Sequence, residues 1–371
     1  MTNIRLPDVE VAARQSKNVL SRVMAANRQE AVSEVPPVVW ASEPFLSGYA
    51  HIGRQEYYAS AEAKYLAQAK FQLDFPDILH LPGVAPDFGY APETSAWGSP
   101  IKREEDGPLV PFAAVNDIHE LSDLNKPDPW SDGYMAIALR DYAWYAEHMD
   151  PRIGSGWGHF HGYGRCMGVE SGALVLGYER YLIELYEHPK LIHDWNQRVV
   201  ELNIDYVRAQ ESITGKIDRL VVTDHLAGQV RREHCEEFVY PYLRQMFDAF
   251  PDAAFRLYHN ENLVPDDAVD AIADMNCTVF MFGIEMDIAA RHLGGRVCLM
   301  GNVPPIHVVQ DLAPTAITAD CAHRLAVGAP SGGMLLCTAG GLSPGTPAEN
   351  IRAFANSVQG VPGASGSTNR P

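Results

Sequence analysis

Two short combinations of an acid and a histidine follow apolar runs in the second half of the chain. Asp224 and His225 come directly after residues 220–223, and His259 and Glu261 follow a run that begins at Phe255. Side chains two residues apart on a strand point to the same side of it, so His259 and Glu261 are expected to face one site. Imidazole and carboxylate groups act as general acids and bases and as ligands of Zn²⁺ and similar metals.

A thiolate would complete a zinc site with three protein ligands and one open position. Cys337 stands at the expected end of the last strand, so we predict that His259, Glu261 and Cys337 hold Zn²⁺. Asp224 and His225 are then predicted to be catalytic, as base and orienting partner. Two ordinary alternatives stay open. A cysteine at a strand end is often a small buried apolar residue, and Asp224 could cap the following segment instead.

Five further residues are weaker candidates for the same site. Asp77 opens an apolar segment after Pro76 and is predicted to be catalytic, with a turn or capping acid as the alternative. Substrate binding is predicted for residues that stand among glycines or at a strand end: His159, His161, Tyr163 and Asn302. Loop hydrogen bonds are the alternative role for the two histidines. The sequence contains neither a dinucleotide-binding fingerprint nor a P-loop.

Eight apolar, strand-like segments alternate with helical patterns and would position these residues. They lie near residues 38, 78, 158, 220, 256, 280, 298 and 335. This alternation predicts a (β/α)8 TIM barrel, in which the strand C-termini carry the active site. Residues 84–133 are rich in Pro, Gly and Asp and are expected to form a loop-rich excursion over one mouth. We assign residues 1–358 to a single domain and expect 359–371 to be a disordered tail.

The composition limits the class of protein. The 371 residues are 46% hydrophobic and 20% charged, as is usual for a globular chain, and the net charge of −18 argues against a nucleic-acid surface. Neither a secretory h-region nor an apolar run of membrane-spanning length is visible, and the six cysteines are scattered. We therefore expect a cytoplasmic protein that binds no membrane. The oligomeric state stays open, with a homodimer among the options.

Several short motifs resemble those of one known superfamily over roughly residues 35–358. The segments that carry the resemblance are Pro76-Asp77-Ile78-Leu79, Asp224-His225-Leu226-Ala227-Gly228, Phe238-Val239-Tyr240-Pro241, Gly301-Asn302-Val303-Pro304-Pro305 and Gly340-Gly341-Leu342-Ser343-Pro344-Gly345. In these motifs the chain resembles the uroporphyrinogen decarboxylase superfamily, which includes cobalamin-dependent methyltransferases. The resemblance implies a TIM barrel with its active site at the strand C-termini.

Position by position, the resemblance separates the two branches of this superfamily. Asp77 falls where the decarboxylases keep a catalytic aspartate, but their arginine-containing substrate loop is not found, and Gly340 falls at their late histidine. True uroporphyrinogen decarboxylation is therefore not expected. The zinc methyltransferases hold their metal with His-x-Cys and a later Cys. His259 matches that histidine, whereas Glu261 and Gly340 stand at the two cysteine positions.

The resemblance and the residues together favour a methyltransferase. We expect it to remove a methyl group from a small O-, N- or S-methylated substrate and to pass it to a corrinoid, carried by a partner protein or bound directly. A carboxylate in place of a thiolate makes the zinc a harder Lewis acid, which suits activation of an oxygen or nitrogen leaving group. The alternative is a small-acid decarboxylase or lyase without corrinoid that uses Asp77 and His225. A barrel that only binds a ligand is the third option.

Overall fold

A computed structural model describes residue 6 and residues 8–103, 108–156 and 160–366, and ten strands lie within these ranges. The strands are β1 (Pro37–Trp40), β2 (Leu79–Leu81), β3 (Ile101–Arg103), β4 (Leu109–Pro111), β5 (Tyr163–Met167), β6 (Arg219–Thr223), β7 (Phe255–Asn260), β8 (Val279–Phe282), β9 (Cys298–Val303) and β10 (Met334–Gly341). Eight of them form one parallel sheet in the order β2-β1-β10-β9-β8-β7-β6-β5, and β3 pairs with β4 in an antiparallel hairpin. The sheet curls into the predicted TIM barrel.

Helices connect the strands and cover the outer face of the sheet. They are α1 (Val9–Asn27), α2 (Phe45–Ala50), α3 (Arg54–Ala59), α4 (Ala61–Asp74), α5 (Ala91–Ala96), α6 (Gly133–His148), α7 (Pro151–Gly156), α8 (Glu170–Leu176), α9 (Tyr178–Glu187), α10 (Pro189–Thr214), α11 (Arg232–His234), α12 (Tyr240–Asp248), α13 (Met286–Leu293), α14 (Pro314–Gly328) and α15 (Ala348–Asn356). No helix among these is long and apolar enough to cross a bilayer.

The element positions follow from the hydrophobic pattern. In α10, Trp195, Val199 and Leu202 recur at helical spacing and are buried, and Pro189 occupies its first turn, where a missing N–H does no harm. The strands are continuous apolar runs because helices cover one face and the barrel interior the other. One predicted strand differs in detail. The third barrel strand is Tyr163–Met167 instead of a segment near 158. Between β7 and β8 the connection contains two 3₁₀ helices, Asp266–Ala268 and Asp270–Met275.

The region that was expected to be a loop-rich excursion contains short elements of its own. Residues 84–133 include α5, the β3–β4 hairpin and a 3₁₀ helix, Ile118–Asp123. Part of this region borders a large cavity at the C-terminal ends of the barrel strands, where Phe88, Tyr90 and Val110 contribute to its wall. The prediction that the insertion lies over one mouth of the barrel is therefore confirmed.

The C-terminal segment differs from the predicted disordered tail. The amide of Val35 donates to the carbonyl of Val361 (2.9 Å), and Val32 and Gly363 exchange two backbone hydrogen bonds of 3.0 Å. The low content of core-forming residues suggested disorder, but backbone groups need no side chain to pair with the loop between α1 and β1. Residues 359–366 are thus attached to the barrel, and 367–371 lie outside the described residues.

Truncation after Gly360 removes these three hydrogen bonds and two more, which the N–H of Ala364 donates to Ala329 and that of Gly366 to Gln29. We expect it to lower the free energy of unfolding by about 3–6 kcal/mol, at roughly 1 kcal/mol for each hydrogen bond. Truncation after Gly366 keeps all of these bonds and serves as the matched control. Urea unfolding followed by circular dichroism measures both, and equal midpoints for the two truncated proteins would show that the segment does not stabilise the barrel.

Candidate active site

A cavity of about 460 Å³ opens at the C-terminal ends of the barrel strands. Its wall combines residues from β1, β5, β6 and β7 with residues of the 84–133 region: Trp40, Ser42, Glu43, Asp87, Phe88, Tyr90, Glu93, Arg165, Met167, Tyr206, Thr223, His225, His259, Glu261 and Gly341. This is the end of a TIM barrel at which substrates bind. The volume is that of a site for a small organic molecule.

Three residues of this wall form a potential metal site. His225, His259 and Glu261 each offer one ligand atom, and these atoms all lie within 4.8 Å of one another. Nε2 of His259 is 3.2 Å from Oε2 of Glu261, and the two imidazole rings are 5.3 Å apart, centre to centre. The side chain of Glu261 is 38% exposed, whereas both histidines are buried. The predicted pair His259 and Glu261 is thus joined by His225.

Glu170, the first residue of α8, fixes the orientation of His225. Its Oε2 accepts hydrogen bonds from Nδ1 of His225 (2.9 Å) and from the backbone N–H of His225 (2.8 Å), while the hydroxyl of Tyr178 donates to Oε1. With the proton held on Nδ1, the neutral imidazole presents an unprotonated Nε2. This Nε2 is buried and has no hydrogen-bond partner within the described residues. It is therefore free to act as a ligand or a base.

The electrostatic surroundings set the protonation states of the three residues. Burial lowers the pKa of His225, but the hydrogen bond and the charge of Glu170 outweigh it and raise the pKa above its usual value. Burial lowers the pKa of His259, which favours the neutral imidazole. For Glu261, burial raises the pKa, but the hydrogen bond and charge of His259 lower it by more. Glu261 and His259 are thus in the forms that bind metals, an ionised carboxylate and a neutral imidazole. His225, whose raised pKa favours the charged imidazole, would have to lose its Nε2 proton to bind a metal ion.

Asp224 does not face the cavity, which corrects its predicted catalytic role. It is fully buried behind His225, where Oδ2 accepts from the N–H of Glu170 (2.8 Å) and Oδ1 from the N–H of Leu226 (3.0 Å). Burial, and next the nearby charge of Glu170, raise its pKa to about 7. Asp224 therefore holds two backbone segments together and positions Glu170 and His225, which is the capping role that the sequence left open.

Cys337 is not part of the metal cluster among the described residues, so the predicted ligand set is corrected at this position. Its strand does not end there: β10 continues to Gly341, which pairs with Trp40, whereas Cys337 pairs with Val38 deeper in the barrel. The thiol is fully buried, and burial raises its pKa well above the usual value. Cys337 is a small buried residue, which is the alternative that the sequence left open for it.

Gly340 lies against the cluster in place of a cysteine. A Cβ atom at this position would be 2.7 Å from Oε2 of Glu261, and the φ angle of +137° also favours glycine. The resemblance placed the second cysteine of the zinc methyltransferases at this residue. The Glu261 carboxylate therefore occupies space that a side chain at position 340 would take.

Three predicted residues lie at the N-terminal end of the barrel, away from the cavity. Asp77 precedes β2, is 45% exposed and pairs with Arg352 at 2.8 Å. His161 is exposed in the turn before β5, and Tyr163, the first residue of that strand, borders a small internal cavity next to α1. The catalytic role of Asp77 and the substrate-binding roles of His161 and Tyr163 are thus corrected: strand starts and strand ends lie at opposite mouths. His159 lies outside the described residues.

Asn302 lies in the C-terminal part of β9 but is not a residue of the cavity wall. Its Oδ1 accepts from the guanidinium of Arg324 (2.7 Å), and its amide N–H donates to the carbonyl of Ile284. Both ends of the side chain are thereby used to attach α14 and the β8–α13 loop to β9. The predicted role in substrate binding is corrected to a structural one.

Several residues of the site were not predicted from the sequence. Glu170 follows Gly168 at a helix start, and Arg165 lies in the middle of β5, so neither stands at a strand end. Asp87 and Tyr90 belong to the 84–133 region. The expected position of this region over one mouth of the barrel was the only indication in the sequence that they border the site. The Tyr90 hydroxyl lies 3.5 Å from Nδ1 of His225, and the Trp40 ring meets that of His259 edge-on at 4.0 Å. These aromatic rings shield the imidazoles from water.

The chain is similar to known proteins in sequence and in fold. The sequence model of the family described as Uroporphyrinogen decarboxylase (URO-D) matches residues 20–361. The uroporphyrinogen decarboxylase of Coxiella burnetii is 26% identical over 185 residues, which cover 47% of this chain and 49% of the relative. That of Chlorobium luteolum is 28% identical over 128 residues, or 33% of this chain and 35% of the relative. These matches span about a third to a half of the relatives' length.

A solved structure extends the likeness to almost the whole chain. A methyltransferase from Methanosarcina mazei superposes with a TM-score of 0.76 at 16% sequence identity, and the match covers 92% of this chain and 98% of that chain. At this level of identity the likeness establishes a shared fold. It confirms the barrel architecture that the sequence predicted.

Substitution of the two aspartates separates their roles. Asp77→Asn should change the free energy of unfolding by less than about 1 kcal/mol, because it removes an exposed ion pair. Asp224→Asn should lower it by about 1–3 kcal/mol, since an amide has one acceptor oxygen and leaves a buried N–H of Glu170 or Leu226 unpaired. Chemical denaturation of both variants measures the difference. A larger loss for Asp77→Asn than for Asp224→Asn would contradict these assignments.

Proposed function

The chain belongs to the uroporphyrinogen decarboxylase family, and we propose that it is a methyltransferase that takes a methyl group from a small methylated substrate with the help of Zn²⁺ and passes it to a corrinoid. The observation that carries this proposal is the convergence of His225, His259 and Glu261, with ligand atoms within 4.8 Å of one another, on a cavity of small-molecule size. The methyltransferase fold shared over almost the whole chain supports the same reaction class.

The residues present fit a zinc ion. Two imidazoles and one carboxylate are a known set of protein ligands for catalytic zinc, which leaves a position for water or substrate. The buried, unpartnered Nε2 of His225 needs a ligand, and Glu170 provides the carboxylate that usually supports a metal-bound histidine from behind. When bound, the zinc ion would supply a Lewis acid for the heteroatom that carries the methyl group. Magnesium is a poorer fit because two of the three donors are nitrogens.

The other residues of the wall orient the substrate and exclude water. Trp40 and Tyr90 pack against the imidazoles of His259 and His225, and keep this part of the cavity apolar. Glu261 is the most exposed of the three proposed ligands and faces the open side of the cavity.

The cavity is too small to enclose a corrinoid together with a substrate. Its volume of about 460 Å³ matches a single drug-sized ligand. We therefore propose that the corrinoid approaches the mouth of the barrel from outside, on a partner protein, where it would accept the methyl group.

Decarboxylation is the second candidate because the curated relatives carry that name. The polar groups of the cavity argue against uroporphyrinogen as substrate: Glu43, Asp87, Glu93 and Glu261 line it, with Arg165 as the only Lys or Arg among the lining residues of the described chain. Such a wall would repel a multiply carboxylated tetrapyrrole. For a small acid, His225 remains available, but Asp77, the proposed partner acid, lies at the opposite mouth of the barrel.

Zinc binding can be measured without knowledge of the substrate. The purified protein should contain one zinc ion per chain by elemental analysis. Loss of one ligand in His225→Ala, His259→Ala or Glu261→Gln should weaken binding by more than about 100-fold, and Glu170→Gln by about 10–100-fold, because it removes support from behind the ligand. Cys337→Ala is the matched control and should bind zinc as the wild type does. Equal zinc affinity in His259→Ala would rule out the proposed ligand set.

Activity is tested with cob(I)alamin as methyl acceptor and a panel of O-, N- and S-methylated compounds. The visible spectrum should change to that of methylcobalamin with one class of donor. Removal of the metal by a chelator should abolish the change, and Zn²⁺ should restore it. Carbon dioxide is measured in the same samples. Release of carbon dioxide without methylcobalamin would favour the decarboxylase, and full activity of metal-free protein would refute the zinc role.

A further inference from the structure

Arg165 is a half-buried cation in the wall of the cavity. It lies in β5 with its side chain 19% exposed, and among the described residues that line the cavity it is the only lysine or arginine. Neither the zinc site nor the proposed transfer of a methyl group uses it. A guanidinium placed inside a small-molecule cavity requires an explanation because its burial is unfavourable unless its donors are satisfied.

Most hydrogen-bond donors of this guanidinium have no acceptor among the described residues. An arginine side chain has five N–H groups. Within the described part of the chain, the guanidinium makes one hydrogen bond, from Nη1 to Oδ1 of Asp87, and at 3.3 Å this bond is long. Because Arg165 lines the cavity, a planar, two-oxygen acceptor such as a carboxylate could take up two of the remaining donors side by side.

The acids around Arg165 are occupied by other partners. Oδ1 of Asp87 also accepts from the N–H of Gly89 (3.2 Å), and its Oδ2 accepts from the N–H of Glu43 (3.2 Å). The carboxylate of Glu43 pairs with Arg54. Glu93 accepts from the N–H of Met167 (2.9 Å), and burial raises its pKa, which favours the uncharged form. Asp87 thus pairs with Arg165 but shares its two oxygens with backbone N–H groups, so the guanidinium keeps donors for a further acceptor.

The wall of the cavity also contains aromatic and proline residues. Trp40, Tyr58, Phe88, Tyr90 and Tyr206 border it, and their rings offer contact surface for a flat, apolar group. A ligand that fills the cavity would meet a cation at one point of the wall and the His225, His259 and Glu261 cluster at another.

We propose that Arg165 binds a carboxylate of the substrate, so that the substrate is a small monocarboxylic acid with a flat apolar body whose reacting group lies at the cluster. This inference rests on the proposed function for the role of the cluster, and it adds the chemical class of the molecule that is bound. Arg165 is then the residue that determines specificity for an acid over its neutral analogue.

Benzoate and its neutral analogue benzamide are suitable probes, with binding to the full chain measured by calorimetry and by Trp40 fluorescence. The wild type should bind benzoate at least about tenfold more tightly than benzamide, since a charge-assisted hydrogen bond is lost with the amide. Arg165→Gln should remove this preference. Asp87→Asn should strengthen benzoate binding, because it removes the competing carboxylate, and a folding defect cannot produce a gain in affinity.

Two controls separate Arg165 from the zinc site. Benzoate binding should persist after treatment with a chelator and in Glu261→Gln. The proposal is overturned if benzoate binds no better than benzamide, if Arg165→Gln retains the preference, or if benzoate binding disappears with the metal. Because no methyl acceptor is present, a failure here leaves the methyl-transfer proposal intact, and a failure of the zinc or corrinoid experiments leaves this one intact.

Discussion

The hydrogen bond between Glu170 and Nδ1 of His225 is the constraint on which the site depends. It decides which nitrogen of the imidazole faces the cavity, and Glu170 is itself held by the hydroxyl of Tyr178 and, through its backbone, by Asp224. Burial, and next the repulsion between the two carboxylates, raise the pKa of Asp224. The arrangement persists because backbone N–H groups and His225 satisfy the oxygens of both acids.

A carboxylate at position 261 changes the chemistry that the barrel can support. Glu261 reaches the cluster because Gly340 leaves the necessary space: a side chain there would meet its Oε2. A donor set of two imidazoles and one carboxylate leaves a bound zinc ion more electrophilic than thiolates would. The cavity next to it is small and is lined by aromatic and acidic residues and by Arg165. Its size and lining limit the size and the chemistry of the substrates that it can bind.

The hydrophobic pattern was sufficient to predict the barrel, whereas the site could be predicted only in part. Apolar runs followed by polar residues identified the tips of β6 and β7, and therefore His225, His259 and Glu261. Asp77 and Cys337 were misplaced because a pattern of this kind does not fix where along the barrel axis a residue lies: Asp77 precedes its strand, and β10 runs on beyond Cys337. Glu170 and Arg165 were missed because only tertiary contacts bring them to the site. Neither residue follows an apolar run at a strand end, which was the pattern that identified the others.

Zinc K-edge X-ray absorption of the metal-loaded protein tests the central claim most directly, because it identifies the atoms bound to the metal. The account predicts a first shell of nitrogen and oxygen at about 2.0–2.2 Å with the multiple scattering of two imidazoles and no sulfur. A sulfur scatterer at about 2.3 Å would assign the metal to a cysteine and contradict a site built from His225, His259 and Glu261.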